Sequence, residues 1–525
     1  MALTSLRFAV FIVVLLICYF AVPKRFRWWV LLAASVLFYC MAGVMNAIYI
    51  VITAASTYGA ALWLENLQNR QKSYLKEHKD LSKEEKSAYK QRIGRNRKLI
   101  MAATLVLNFG ILCVFKYGDF ALQQVNGIAH LFGGKGFRDS LGLIIPLGIS
   151  FYTFQTMGYL VDVYWKKVDA QHNFCKLLLF VSFFPQVTQG PISDYRQLSE
   201  QLFTPHAFSF ENYRDGGIRL IWGFAKKMIL ADLLAPYVAD VFANYNQYAG
   251  VTVLIGAFFY SIQIYADFSG YMDIVCGLCQ MMGIRLAENF DRPYFSKSIA
   301  EYWRRWHMTL GAWFKTYIYY PIAVAKWNQK LGKKAKEHFG KHFGSTLPAS
   351  LALVGVWLTT GLWHGASWGY IAWGGVNGLF IIFSLWMEPV YEATRNKLHL
   401  RDEQWAWRAF RTLRTFVLVT FIKVLPEVGG LRAGLGLWKR IFTNYTIPHS
   451  LSELLPFVGL KDLAVIGVFT LILFVTSLIQ RKQPIRVWFA KWPKVLQLLV
   501  LAVLILAIFF VGSSGNAGGF MYAQF

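Results

Sequence analysis

The chain has 525 residues, of which 56% are hydrophobic and 17% aromatic, and its formal net charge is +26. That apolar share is too high for a soluble enzyme of this size, and roughly a dozen stretches are long enough to cross the hydrocarbon core of a bilayer, about 30 Å, as helices. A lipid-spanning barrel is excluded because the apolar runs are continuous instead of alternating, and the basic excess sits in the loops between them, where it orients helices toward the cytoplasm and needs no nucleic-acid partner.

Three apolar segments open the chain, near Leu6–Val22, Trp28–Gly43 and Met45–Leu64. The first has the apolar centre of a signal peptide but no small-residue cleavage site before Pro23, Lys24 and Arg25, so it reads as a retained helix. Lys24, Arg25 and Arg27 form a basic clip, and Gln68–Lys98 is a second basic stretch in which Lys72–Lys90 mixes acids and lysines at helical spacing, as a solvated or membrane-surface helix does. With both stretches in the cytoplasm, the amino terminus is expected outside. A fourth span near Leu99–Phe115 leads to a glycine-containing loop at Gly127–Gly136, and the chain returns through Leu141–Val163. There Pro146, Gly148, Ser150, Gln155 and Thr156 interrupt the apolar run, which predicts a kinked, tightly packed helix or one that lines a polar cavity.

Phe183–Ile192 contains Pro185, Gln186, Gly190 and Pro191, which break a helix inside apolar surroundings. Broken helices at membrane depth survive only where protein or water shields the freed backbone, so this stretch is expected to face inward. A helical region at Ile218–Phe242 precedes Val251–Met282, whose Gln263, Asp267 and Asp273 require buried partners. Arg285, Arg292 or a backbone donor are the expected ones, in a structural or cavity-shaping role. Asn289–Lys326 is no simple span, because its mixture of Trp303, Arg304, Arg305, Trp306 and His307 suits an interfacial or re-entrant helix. Arg304, Arg305 and Lys315 are either headgroup anchors or contacts for a phosphate-bearing donor.

After a basic stretch at Lys326–Lys341, the Leu347–Trp363 segment runs outward and ends in Thr360-Gly361-Leu362-Trp363-His364-Gly365-Ala366-Ser367-Trp368. An ionisable side chain carried to membrane depth is costly, so His364 either faces a protein-lined cavity and works there, or is satisfied by its neighbours, or lies at the lipid headgroups among interfacial tryptophans. Further spans are expected near Phe410–Leu425, Leu463–Ile479 and Val495–Val511, and the basic connector Arg481–Lys491 sends the last of them outward, so the carboxy terminus is also expected outside. Cys276 and Cys279 form a C-x-x-C pair with no second pair to complete a zinc site, so no metal is expected. No internal repeat is visible, which speaks against a transporter.

Taken together, the blocks Phe183–Arg196, Tyr265–Asp273, Asn289–Tyr294, Trp303–His307 and Gly361–Trp368 resemble the membrane-bound O-acyltransferase family in its bacterial cell-envelope branch. The resemblance extends from about Pro146 to Leu379 in the family's order. It implies an all-α polytopic membrane protein of roughly 11–14 transmembrane or re-entrant helices, arranged as a ring with a central tunnel between a cytoplasmic donor and an outer acceptor. It also implies that His364 is the catalytic histidine and His307 the second active-site histidine. The corresponding division is N-terminal helices with a basic cytoplasmic loop at 1–117, a catalytic core at 140–390, C-terminal helices at 400–512 and an extracytoplasmic aromatic tail at 513–525.

The chemistry follows from the residue types. An imidazole of unperturbed pKa about 6.5 accepts a hydroxyl proton near neutral pH, which suits His364 as a general base. His307 is placed to hydrogen-bond the developing oxyanion or to orient the donor. Trp303, Arg304, Arg305, Trp363, Gln155 and Gln186 are the further candidates for donor binding or tunnel lining. No bound cofactor is expected; the donor is a substrate, acetyl-CoA or an acyl-carrier thioester, and the partners are an extracytoplasmic polymer or a secreted second transferase, together with membrane lipid.

The tail Ser513–Phe525 has no charged side chain, and its Phe520, Tyr522 and Phe525 resemble a carboxy-terminal motif of this envelope-acylation group. Tyr522 is accordingly a candidate relay that carries the acyl group as an aryl ester, since a phenol of pKa about 10 ionises far more readily than an alkyl hydroxyl. The bland alternative is an aromatic anchor at the outer interface. The expected function is transfer of an acyl group, in the simplest case acetyl, to an extracytoplasmic polysaccharide or cell-wall polymer. D-Alanyl transfer to teichoic acid from a carrier protein is the enzymatic alternative, and a polysaccharide transporter or channel is the alternative of another class.

Overall fold

The computed structural model describes residues 3–134, 136–138 and 140–512, and the tail with Tyr522 lies outside them. Among the described residues the chain is helical throughout, with one isolated antiparallel bridge between Phe290 and Trp306. Among the described residues, seven helices are long and apolar enough to cross a membrane: Val44–Glu77, Lys83–Leu131, Gly250–Met281, Lys326–His364, Trp368–Trp386, Leu460–Ile479 and Lys494–Gly512. The protein is therefore an all-α, multi-pass membrane protein. Other apolar stretches are divided into shorter pieces, as at Phe174–Ser182 and Phe184–Val187, where Pro185 opens the second piece.

One unit comprises Met1–Tyr213 and Cys279–Leu286. The Lys83–Leu131 helix begins with a capping box, Ser82 accepting from the Glu85 amide and Glu85 from the Ser82 amide. It then continues unbroken to Leu131, so the loop expected at Gly127–Gly136 is helical over its first half. Gly127 does not stop it, because an isolated glycine lowers helix stability only by about 1 kcal/mol. The following helix starts later than Leu141, at Ile149, after Pro146 and a left-handed Gly148 with φ 70°. A Cβ at Gly148 would lie 2.3 Å from the Val187 carbonyl oxygen, so this turn requires glycine. The Ile149–Tyr164 helix is buried on nearly every face, the tightly packed outcome of the two expected for it.

The second unit comprises Arg214–Leu278 and Ala287–Phe525. Within it Gly223 packs on the Gly250–Met281 helix so closely that an added Cβ would meet the Gly270 carbonyl oxygen at 2.7 Å. Small residues let the two backbones approach. Beside this crossing the helix loosens into a π-helical turn at Lys226–Ala231, and the consecutive lysines 226 and 227 both reach the Gly250–Met281 helix. Lys227 Nζ lies 2.7 Å from Asp267 and 2.8 Å from Asp232, while Asp273 receives Arg219 Nε at 2.8 Å and Lys226 Nζ at 2.7 Å. These are the partners of the buried carboxylates, in place of the expected Arg285 or Arg292; Arg292 pairs with its neighbour Asp291 at 3.0 Å. Proximity in sequence suggested the wrong arginines because the pairing is set by a helix crossing.

Candidate active site

His364 ends the Lys326–His364 helix, which turns back on itself at Gly340, where φ is 87°. Gly365 follows in extended conformation, and a Cβ there would lie 2.2 Å from the Tyr370 ring. Ser367 then caps the Trp368–Trp386 helix by accepting from the Tyr370 amide. Gly361 and Gly374 let the two helices meet, since a Cβ at Gly374 would sit 2.4 Å from the Trp357 carbonyl oxygen. The Gly-Leu-Trp-His-Gly-Ala-Ser-Trp block is thus a helix end, a tight reversal and a cap that hold one imidazole. That ring is buried, edge-on to Trp363 and Trp373 with centroids 4.9 Å away in each case, and parallel to Tyr370 at 6.3 Å.

His307 sits between two short helices, Ile299–Arg305 and Met308–Phe314, in the left-handed region with φ 50°. A non-glycine residue there costs of order 1–3 kcal/mol and persists only where neighbours hold it. Asn289 supplies the hold: its Oδ1 accepts from the Thr309 amide at 2.9 Å and the Thr309 hydroxyl at 2.7 Å, and its carbonyl accepts from the Met308 amide at 3.1 Å. The Asp291 amide donates to the Arg305 carbonyl at 3.0 Å, so the Asn289–Tyr294 block is the clamp of the His307 turn. His307 is 2% exposed and lies edge-on to Phe268, 4.8 Å between centroids, and 5.9 Å from Trp363. Trp363 therefore contacts both histidines.

A small cavity of about 30 Å³ opens at His364, lined also by Trp303, Trp306, Trp373, Lys423 and Glu427. His364 thus lines a protein-walled cavity and is also packed among aromatic neighbours. Trp303 is fixed by an indole N–H to Asn377 Oδ1 bond of 2.9 Å. Arg304 is exposed, Arg305 pairs with Glu301 at 2.7 Å, and neither is among the residues that line this cavity. Gln155 and Gln186 belong to the first unit, where Gln155 Nε2 donates to the Phe180 carbonyl at 3.0 Å and approaches Gln186 Oε1 at 3.4 Å.

Residues 166–422 match the sequence profile of the membrane-bound O-acyltransferase family. These residues are a membrane-bound O-acyltransferase domain. Both histidines fall within it. The chain is 36% identical over 277 residues to a probable alginate O-acetylase of Pseudomonas aeruginosa, covering 53% of this chain and 49% of that protein. It is 30% identical over 374 residues to a peptidoglycan O-acetyltransferase of Helicobacter pylori, covering 64% and 65%, and 27% identical over 355 residues to a teichoic acid D-alanyltransferase of Streptococcus thermophilus, covering 62% and 82%. The chain spans about half the length of the alginate O-acetylase of Pseudomonas aeruginosa.

Sequence reading missed two residues of the acyltransferase domain's cavity, Lys423 and Glu427, which lie one helical turn apart just beyond the matched stretch. The signal was present. Both are charged residues at the end of the apolar run Phe416–Val428, the same cue that drew attention to Asp267 and Asp273.

Proposed function

We propose that the chain is a membrane O-acyltransferase that moves an acyl group, in the simplest case acetyl, from a cytoplasmic thioester to a hydroxyl of an extracytoplasmic polysaccharide or cell-wall polymer. The observation that carries this reading is the pair of buried histidines in contact with one tryptophan inside the family domain, with His364 lining a cavity. His364 takes the proton of the acceptor hydroxyl as its oxygen attacks the thioester carbonyl. The carbonyl π pair moves to oxygen, the tetrahedral adduct collapses with cleavage of the carbon–sulfur bond, and the proton held by His364 passes to the leaving thiolate. His307, fixed by Asn289, orients the donor or hydrogen-bonds the adduct's oxygen. The donor is acetyl-CoA or an acyl-carrier thioester, a second extracytoplasmic transferase completes delivery, and both termini lie outside.

D-Alanyl transfer is the second reading, favoured by the similarity to the Streptococcus thermophilus D-alanyltransferase over 82% of its length. Tyr522, in the tail beyond the described residues, is the proposed relay: its phenolate accepts the acyl group as an aryl ester and yields it to the outer acceptor.

One experiment addresses the centre of the proposal. The purified full chain in lipid nanodiscs is given acetyl-CoA and an alginate oligosaccharide, and released thiol is followed with time. His364→Ala is expected to lose about 100-fold to 10,000-fold in rate with an unchanged melting temperature. A folded His364→Ala chain that releases thiol at the original rate would sink the reading. Intact-mass analysis of the carboxy-terminal peptide during turnover is expected to find one added acetyl on Tyr522; a tail unmodified throughout active turnover removes the relay. Activity with a D-alanyl carrier thioester and none with acetyl-CoA selects the second reading.

A further inference from the structure

Lys423 is 4% exposed and lines the cavity that opens at His364. Its ammonium sits among three aromatic faces: Nζ is 3.9 Å from the Trp306 ring centroid, 4.8 Å from that of Tyr294 and 5.2 Å from that of Tyr302. It donates to the Tyr294 hydroxyl at 2.8 Å, and that hydroxyl in turn donates to the Ser261 carbonyl. Ring quadrupoles attract a cation, most strongly that of tryptophan. Among the described residues Lys423 has no carboxylate within ion-pair distance; Glu427, one turn further along the helix, is held by the Tyr260 hydroxyl at 2.8 Å. Lys227, by contrast, lies between the carboxylates of Asp267 and Asp232. An ammonium has three donors and the Tyr294 bond uses one, which leaves donor capacity on a residue at the cavity wall.

Acyl transfer creates one new anion at this place, the oxygen of the tetrahedral adduct. We propose that Lys423 is a further catalytic residue, whose caged ammonium stabilises that oxyanion in the cavity beside His364. The inference rests on the acyl-transfer reading. The acceptor oxygen bonds to the carbonyl carbon, its proton goes to His364, and the π pair becomes the oxyanion that Lys423 balances. On collapse the carbonyl re-forms, the carbon–sulfur bond breaks and His364 returns the proton to sulfur. Lys423 keeps all its protons throughout. A charge fixed in place before the reaction requires no reorganisation when the anion appears, and the loss of one such donor elsewhere costs roughly 100-fold to 1,000-fold in turnover.

The test uses the full chain in nanodiscs with acetyl-CoA as the probe and thiol release as the readout. Lys423→Met keeps the length of the side chain and removes its charge. Its kcat is expected to fall about 100-fold or more while KM for acetyl-CoA changes by less than about threefold, with the melting transition preserved. A folded Lys423→Met chain with kcat within about twofold of the original overturns the proposal. Should the methionine chain fail to fold, Lys423→Ala is assayed with added ethylammonium and, separately, with ethanol at equal concentration. A rate restored by the cation alone supports the oxyanion role, and equal rates under both additions overturn it. His364→Ala separates the two levels of inference. If the original chain releases no more thiol than His364→Ala with acetyl-CoA and with a D-alanyl carrier thioester alike, acyl transfer itself is wrong and the lysine's role falls with it. If the original chain is active, His364→Ala is not and Lys423→Met is, the lysine's role falls alone.

Discussion

Two groups of buried charge in the second unit are built in opposite ways. Along the Gly250–Met281 helix, Lys227 lies between Asp267 and Asp232, and Asp273 between Arg219 and Lys226, all within 2.8 Å. Each cation there is matched by a carboxylate. Around the cavity, Lys423 is held by a phenol and three aromatic faces, Glu427 by the Tyr260 hydroxyl, and His364 by aromatic rings. Lys423 and Glu427 are thus held by neutral partners. The first arrangement joins helices; the second leaves a field for charge that develops during reaction.

The same substitution at two buried lysines tests this difference. Lys227→Met leaves Asp267 and Asp232 as buried carboxylates without the ammonium between them, and breaking a buried pair in this way costs about 3–5 kcal/mol. The expected outcome is a large fall in the melting temperature, or loss of folded chain, with thiol release per folded molecule close to the original. Thermal melting in nanodiscs and active-site-normalised turnover measure the two quantities separately. Lys423→Met is expected to do the reverse. If both variants lose stability alone, or both lose turnover alone, the division between structural and catalytic charge is wrong.

Sequence made the site's landmarks legible because apolar runs make charge conspicuous. His364, Asp267 and Asp273 stood out for that reason, His307 came from the family resemblance, and Pro185 and Gly190 marked the broken segment at Phe183–Ile192. Partner choice was much less legible. Asp273 meets Arg219 across a glycine-lined helix crossing, 54 positions away, and no local cue favoured that arginine over Arg285 or Arg292. Lys423 was passed over for the opposite reason: Phe410–Leu425 read as an ordinary span, and the cage that gives the lysine meaning comes from Tyr294, Tyr302 and Trp306, more than a hundred positions earlier. The helix to Leu131 shows a further limit, since Gly127 and Gly133 resemble loop punctuation although only the second lies past the helix end.

A smaller effect is expected at the clamp between the two kinds of region. Asn289 is 1% exposed and carries no charge, yet its side-chain oxygen serves both donors of Thr309 beside the left-handed His307. Asn289→Ala leaves those donors without that acceptor, at a cost of about 1–3 kcal/mol, well below the figure for Lys227→Met. Stability alone would make Asn289 one more structural residue. Its particular role predicts more: with the clamp gone, the His307 turn is free to leave a backbone conformation that few residues adopt, and the ring loses its fixed place against Phe268. Turnover per folded molecule should therefore fall in Asn289→Ala and remain unchanged in Lys227→Met, although the alanine variant is the more stable of the two. Melting temperature and turnover would then rank the two variants in opposite orders, which a simple loss of folded protein cannot produce. Equal ranking by both measures would mean that the His307 turn contributes to packing and not to the reaction.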